Sequence, residues 1–162
     1  MYQSYLSAFQ IGLVAGMRAM TAPAVVSHKL STTTTELPAD SPLHFMTSPN
    51  TATVFKVLAG GELIGDKIPG SPDRTSPPQL VGRLVSGAMS GAALSEAEGQ
   101  SATWGTVLGG LGALAGTFAF FHLRHFLTHE KGLPDPVVAL AEDALTIALG
   151  LATVDTALDP AF

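Results

Sequence analysis

The sequence predicts an all-α fold: a polytopic membrane bundle of about five transmembrane helices, forming a single domain over residues 1–162. Hydrophobic residues make up 46% of the 162 residues and charged residues 13%, well below the ~25% charge that is usual in soluble domains. Several apolar runs approach the ~20 residues that a helix needs to cross the ~30 Å hydrocarbon core of a bilayer. Pairs of glycines four residues apart recur in these runs, a spacing typical of packed membrane helices.

The first helix is predicted over residues 5–27. This apolar segment is interrupted by Arg18, and Pro23 is expected to kink the helix or to end its regular part. The polar stretch 29–50 follows, with the run TTTT and three prolines. It is predicted as an exposed loop without a core of its own.

The other four predicted helices differ in how strongly charges interrupt them. Segment 51–68 is the least hydrophobic, since it contains four charged residues. Segment 78–95 follows the helix-breaking run PGSPDRTSPP. Segment 102–125 is uncharged as far as residue 121 and is the clearest transmembrane helix. The last helix, 136–154, carries two adjacent acidic residues.

Glycine pairs with the spacing Gly-x-x-x-Gly occur in the first four predicted helices. Glycines four residues apart share one helix face and let two helix backbones approach closely, which favours association in lipid. We therefore expect the helices to pack through these faces. The pairs are Gly12/Gly16, Gly61/Gly65, Gly87/Gly91, Gly105/Gly109 and Gly112/Gly116.

Loop charges predict an orientation, because loops rich in Lys and Arg remain in the cytoplasm. The connector 96–100 and the tail after residue 154 contain only acidic charges and are predicted outside. The turn 67–74 and the connector 124–131 contain basic residues and are predicted in the cytoplasm. With five helices, the N-terminus is then cytoplasmic, and the C-terminus and the loop 29–50 lie outside.

Charged residues inside the predicted helices form the candidate binding site. A charge at the centre of a membrane helix costs about 2.5–3.5 kcal/mol on insertion scales, so it should face the bundle interior, paired or hydrated. The acids could bind a cation or a proton, and the basic residues could balance them or hold an anionic group. Glu62 and Asp66 share one helix face, with Arg18, Lys67 and Arg83 as candidate counter-ions. The candidate residues are Arg18, Glu62, Asp66, Lys67, Arg74, Arg83, Glu142 and Asp143.

Other sites and partners have less support. His122, His125 and His129 have a spacing that could ligate a transition metal, but histidines at a helix end commonly lie at headgroup level, and no metal site is predicted. The absence of cysteine excludes a thiolate nucleophile, and no particular cofactor is indicated. A net charge of −5 argues against nucleic acid. The expected partners are the lipid bilayer and, if the glycine faces mediate assembly, a second copy of the chain.

Three functions remain open at this point. The first is transport or binding of an ion or a charged solute. The second is a membrane enzyme that acts on a lipid or phosphorylated substrate at the inner leaflet, where Lys67 and Arg74 would hold phosphate and a carboxylate would act as general base. The third is a non-catalytic membrane scaffold, in which the buried charges are structural ion pairs.

Four blocks of the sequence carry a family resemblance. They are GMRAMTAP (16–23), GELIGDKIPGSPDRT (61–75), LVGRLVSGA (80–88) and LPDPVVALAEDA (133–144). Together they resemble the recurring blocks of the bacterial membrane family catalogued as domain of unknown function 4126, over essentially the whole chain. The resemblance implies a compact bacterial inner-membrane protein, and it implies no activity. The blocks contain the charged residues of the candidate site.

Overall fold

The computed structural model describes residues 2–33, 35, 37–65 and 75–158, and these residues form six α-helices and no strand. The prediction of an all-α fold is confirmed. A 3₁₀ turn (His44–Thr47) precedes the third helix, and a π-helical turn (Phe126–Glu130) continues the fifth. The helices are α1 (Tyr2–Met17), α2 (Thr21–Thr32), α3 (Pro49–Gly65), α4 (Pro77–Ala97), α5 (Ala102–His125) and α6 (Asp135–Leu158).

The segment predicted as one helix over 5–27 is two helices in the structure. Residues 18–20 form a turn between α1 and α2. Pro23 does not break the helix, because it is the third residue of α2, and the N–H that proline lacks has no helical partner in the first turn. The break therefore lies five residues before the proline that the sequence suggested.

The chain reverses direction at this turn. Arg18 contacts Asp143 of α6, and Lys29 contacts Asp155, which is further along the same helix. α2 therefore runs in the same direction as α6. α1 runs the opposite way, since its first turn lies beside the last turn of α6. α1 and α2 together form a helical hairpin that enters and leaves the bundle at the same end.

The two described ends of the chain lie together, not at opposite ends of the bundle as predicted. Gln3 and Ser4 line a cavity of about 360 Å³ with Glu98, Thr156 and Leu158. The prediction was wrong because it counted the segment 5–27 as a single crossing.

Two helical segments among the described residues are long and apolar enough to cross a membrane, Ala102–Glu130 and Asp135–Leu158. α1 has 16 residues, fewer than the ~20 that a full crossing needs, and the described part of α3 has 17. By length and composition, the described residues thus contain two candidate spans, where the sequence predicted about five.

α1 is the central helix and packs against α4, α5 and α6. Its contacts with α5, and those of α4 with α5, include close approaches of backbone to backbone at the glycines. A Cβ at Gly91 would lie 2.5 Å from the carbonyl oxygen of Gly105, and a Cβ at Gly116 would lie 2.6 Å from that of Leu13. Larger residues at these glycines would force the helices apart.

α3 is the helix with the fewest buried residues, and it lies mainly against α2 and the 3₁₀ turn. Ala52 is its one buried residue. No described atom lies within 4 Å of a Cβ built at Gly60, Gly61 or Gly65. The pair Gly61/Gly65 thus differs from the other four Gly-x-x-x-Gly pairs, each of which faces the backbone of another helix.

The stretch predicted as the exposed loop 29–50 is partly helical and partly packed. α2 continues to Thr32. Leu37 is 2% exposed and Met46 is fully buried. The hydroxyl of Ser27 donates a hydrogen bond to the carbonyl oxygen of Met46 at 2.6 Å. The stretch is therefore part of the hydrophobic core, because its few apolar side chains pack against α2.

Candidate functional site

The candidate site surrounds residues 18–20, the turn between α1 and α2, which we call the hairpin tip. At about 1.5 Å per residue, Arg83 lies about 9 Å along α4 from its first residue, and Asp143 lies about 12 Å along α6 from its first residue. The turn leaves the last carbonyls of α1 and the first N–H groups of α2 without helical partners. Such backbone groups inside a bundle must be satisfied by protein groups.

Glu62 of α3 caps the start of α2. The N–H of Ala19 donates to Glu62 Oε1 at 2.8 Å, and the N–H of Met20 donates to Oε2 at 2.7 Å. The N-cap residue of α2 is Met20, which cannot accept these bonds with its own side chain. A carboxylate from a different helix therefore supplies the cap and lies at the positive end of the α2 dipole.

Arg83 of α4 caps the end of α1. Its Nη1 donates to the carbonyl oxygens of Gly16 at 2.7 Å and Met17 at 2.8 Å. Its Nη2 lies 3.9 Å from Glu62 Oε1. The side chain is 1% exposed. A cation thus faces the negative end of the α1 dipole, and it also neutralises the carboxylate that caps α2.

Arg18, within the turn itself, forms an ion pair with Asp143 of α6. Its Nε and Nη2 donate to Asp143 Oδ1 at 2.8 and 2.5 Å. Arg18 is 1% exposed and Asp143 is 7% exposed. Breaking a buried pair of this kind leaves an uncompensated charge, so the pair fixes the tip against α6.

Glu142 belongs to a second group of charges nearer the end of the bundle. Its Oε2 lies 3.8 Å from Arg124 Nη1. Arg124 also donates from Nε and Nη2 to the two carboxylate oxygens of Asp135, at 2.9 and 2.7 Å. Glu142 and Asp143 diverge because successive residues of a helix point about 100° apart. An apolar cavity of about 210 Å³ between α5 and α6 includes Arg124 and Glu142 in its lining.

The structure brings four of the eight predicted site residues together and places a fifth beside them. Around the tip these are Arg18, Glu62, Arg83 and Asp143, with Glu142 in the neighbouring group. Asp66, Lys67 and Arg74 lie outside the described residues.

Sequence reasoning missed two hydroxyl groups and one arginine. Ser86 donates from its hydroxyl to the carbonyl oxygen of Ala19, and Thr117 donates to that of Gly16 at 3.4 Å. No sequence pattern marks a hydroxyl that binds a distant carbonyl. Arg124 lies where the predicted helix 102–125 meets the basic connector 124–131, and it is not among the predicted site residues. Asp135, only eleven residues further along the chain, is the sequence signal for its ion pair.

His122, His125 and His129, whose spacing could suit a metal ion, lie at the end of α5 and in the π-helical turn that follows it. The rings of His125 and His129 are stacked with centroids 4.3 Å apart, and His129 Nδ1 lies 2.9 Å from the hydroxyl of Thr128. Within the described part of the chain, no three His, Cys, Asp or Glu side chains are placed to hold a metal ion.

Glu98, in the connector after α4, lies at the opposite end of the bundle from the hairpin tip. Burial raises the pKa of Glu98 above its ordinary value, and a hydrogen bond with Ser4 acts in the other direction. Glu98 Oε2 is buried and has no hydrogen-bond partner among the described residues. Glu98 lines the cavity where α1 begins and α6 ends.

Comparison with known proteins identifies a family but no characterised relative. Residues 6–158 match the family described as "Domain of unknown function (DUF4126)". No curated protein and no solved structure matches the chain. The match covers nearly the whole sequence and includes all four blocks that carried the resemblance. The chain belongs to the DUF4126 family.

Proposed function

We propose that this chain is a small multi-pass membrane protein that binds and transports an ion or a charged solute at the hairpin tip. The observation that carries the proposal is the helical hairpin, whose reversal lies inside the bundle among four charged side chains. In transporters, the free ends of discontinuous helices hold substrate groups and coupling ions near the middle of the membrane. Here the corresponding helix ends are held by the charged side chains of Glu62 and Arg83, which a solute could replace.

The charge pairs at the tip suit coupled binding of a cation and an anion. A proton or a cation bound at Asp143 would weaken its hold on Arg18, and the guanidinium could then bind an anionic group. The same reasoning applies to Glu62 and Arg83. Each binding event lowers the cost of the other, which is the thermodynamic requirement for coupling two ligands.

In this proposal the helices lie in a bacterial inner membrane. The bundle end that carries connector 124–131 faces the cytoplasm, because basic residues favour that side. The end that carries Glu98 and Asp155 faces outward, and both described ends of the chain then lie outside.

The test is flux into liposomes that contain the purified protein. The solutes are protons, Na⁺, K⁺, ammonium, small carboxylates and inorganic phosphate. We expect flux of at least one above empty liposomes, reduced at least tenfold by Asp143→Asn. The matched control is Asp155→Asn, which removes an exposed ion pair with Lys29 and should leave flux unchanged. Background flux for every solute, with folded protein in the membrane, would overturn the proposal.

A non-catalytic scaffold is the second candidate, because all four charges at the tip already contact described groups. Under that function, Asp143→Asn lowers the free energy of unfolding and flux stays at background. The enzyme alternative depends on Lys67 and Arg74, which lie outside the described residues, and no observation of the described residues favours it.

A further inference from the structure

A cavity of about 350 Å³ lies between α1 and α6, toward the end of the bundle away from the hairpin tip. It has room for several water molecules. Apolar side chains form part of its lining, and the rest is polar but uncharged. Amide and hydroxyl groups both donate and accept hydrogen bonds, so these side chains can hold water. The polar residues of the lining are Gln3, Ser7, Gln10, Thr153 and Thr156.

The faces of α1 and α6 that line this cavity continue to the hairpin tip. Residues three or four positions apart lie on one face of a helix. Such steps lead along both antiparallel helices from the cavity to the buried ion pair, over about 12 Å on α1 and about 15 Å on α6. The residues are Gln10, Val14 and Arg18 on α1, and Thr153, Gly150, Thr146 and Asp143 on α6.

Thr146 places a hydroxyl group between the cavity and Asp143. Its side chain is fully buried, and its hydroxyl donates a hydrogen bond to the carbonyl oxygen of Glu142 at 2.7 Å. A hydroxyl oxygen has two lone pairs. Thr146 can therefore still accept a hydrogen bond from water or from a solute on its way to the ion pair.

An apolar contact closes this route between Thr153 and Thr146. A Cβ at Gly150 would lie 3.3 Å from a γ carbon of Val25 and 3.5 Å from a γ carbon of Val14. Val14 is fully buried. Side chains packed this closely leave no space for water. The closed section is short, because one helical turn of about 6 Å on either side of Val14 leads to the cavity or to the tip.

We propose that the cavity is a water-filled vestibule through which a hydrated ion or charged solute reaches the hairpin tip, and that Val14 and Val25 against Gly150 form its closed gate. When the gate opens, Thr146 and then Asp143 become continuous with the vestibule. The uncharged groups of the vestibule accept hydrated ions of either sign, so the charges at the tip select the solute. The route gives the transport site its access from the outer side, so the inference rests on the proposed function.

The first test asks whether the vestibule holds water. The chain has no cysteine, so Gln10→Cys and Thr153→Cys each introduce a single thiol. Labelling by a water-soluble methanethiosulfonate is measured in liposomes, with reagent on both sides of the membrane. The control is Leu151→Cys, which lies outside the vestibule and is 43% exposed, whereas Thr153 is 6% exposed. Thiols react as thiolates, which form in water and not in lipid, so both vestibule thiols should be labelled at least about tenfold faster than the control.

The second test concerns the gate. Thr146→Cys places a thiol between the gate and the tip, and adding Val14→Ala should raise its labelling rate about tenfold, because the gate loses the apolar contact of two methyl groups. Adding Gly150→Ala should lower the rate, since the new Cβ would press against Val25. The matched control is Val26→Ala, which removes the same two groups from a fully buried core position that is not among the nearest neighbours of Gly150. It should leave the rate unchanged.

The vestibule is refuted if its two thiols are labelled no faster than the control at position 151. The gate is refuted if Val14→Ala changes the labelling rate no more than Val26→Ala does. These outcomes do not depend on flux. A water-filled, gated route with background flux for every solute would refute only the transport proposal, and a dry cavity together with Asp143-dependent flux would refute only the route.

Discussion

Replacing Asp143 with asparagine tests the buried ion pair that fixes the hairpin tip. Asp143 accepts two hydrogen bonds from Arg18, and the two residues are 7% and 1% exposed. The variant keeps the shape of the side chain and one oxygen acceptor but removes its charge. The guanidinium then remains buried beside a neutral group.

The expected cost follows from this burial. Removing one partner of a buried pair destabilises a protein by about 3–5 kcal/mol. Because the asparagine oxygen still accepts a hydrogen bond, we expect about 3 kcal/mol, at the lower end of that range. The double-mutant cycle with Arg18→Gln should give a coupling energy of about 2 kcal/mol, within the range for residues in direct contact.

The assay is reversible unfolding in mixed micelles, followed by circular dichroism. The control is Asp155→Asn, which removes a pair of similar length, 2.7 Å, whose carboxylate is 62% exposed. Exposed pairs contribute about 0–1 kcal/mol, so this variant should unfold almost like the wild type. If Asp143→Asn costs no more than Asp155→Asn, the reasoning about the buried pair is refuted.

Three further predictions concern packing, pH and the second charged group. Gly109→Ala should destabilise the fold by about 1–3 kcal/mol or more through overpacking, because its Cβ would meet the Gly87 backbone. The control is Gly110→Ala, whose Cβ would lie 3.9 Å from the nearest described atom. In the same unfolding assay this variant should be as stable as the wild type. Burial raises the pKa of Glu98 in the folded state. The contribution of Glu98 to the free energy of unfolding is therefore complete below its ordinary pKa and is lost as the pH rises through the raised value. When unfolding is measured across that pH interval, Glu98→Gln should be less sensitive to pH than the wild type. Arg124→Lys loses the pair of hydrogen bonds that the guanidinium donates to the Asp135 carboxylate. The backbone amides of the connection between α5 and α6 should then exchange their hydrogens faster. Equal exchange rates would contradict a role of this ion pair in holding the connection.

The all-α fold could be predicted because long apolar runs broken by prolines leave few alternatives. The position of the hairpin turn could not be predicted from the sequence. Residues 18–20 read Arg-Ala-Met, with no glycine or proline to signal a turn, and Pro23 pointed to the wrong position. The turn forms because Glu62 and Arg83, both distant in sequence, satisfy the backbone groups that it leaves free. Such stabilisation depends on tertiary contacts that a local pattern does not contain.

The candidate site could be predicted as a set of residues but not as pairs. Charges within apolar segments must face the interior of a bundle, and this rule found Arg18, Glu62, Arg83 and Asp143. The sequence suggested Arg18 as a counter-ion for the acids of segment 51–68. The structure pairs it with Asp143, because the reversal of the chain changes which helices are neighbours at the tip.

The central claim is that the hairpin tip binds the transported solute, and Arg18→Lys tests it most directly. Lysine keeps the positive charge opposite Asp143 and so preserves the pair, but it lacks the planar fork of the guanidinium. The measurement is solute flux per folded protein in liposomes. The account predicts a folded variant with flux reduced at least tenfold, whereas a folded variant that transports at the wild-type rate would contradict it.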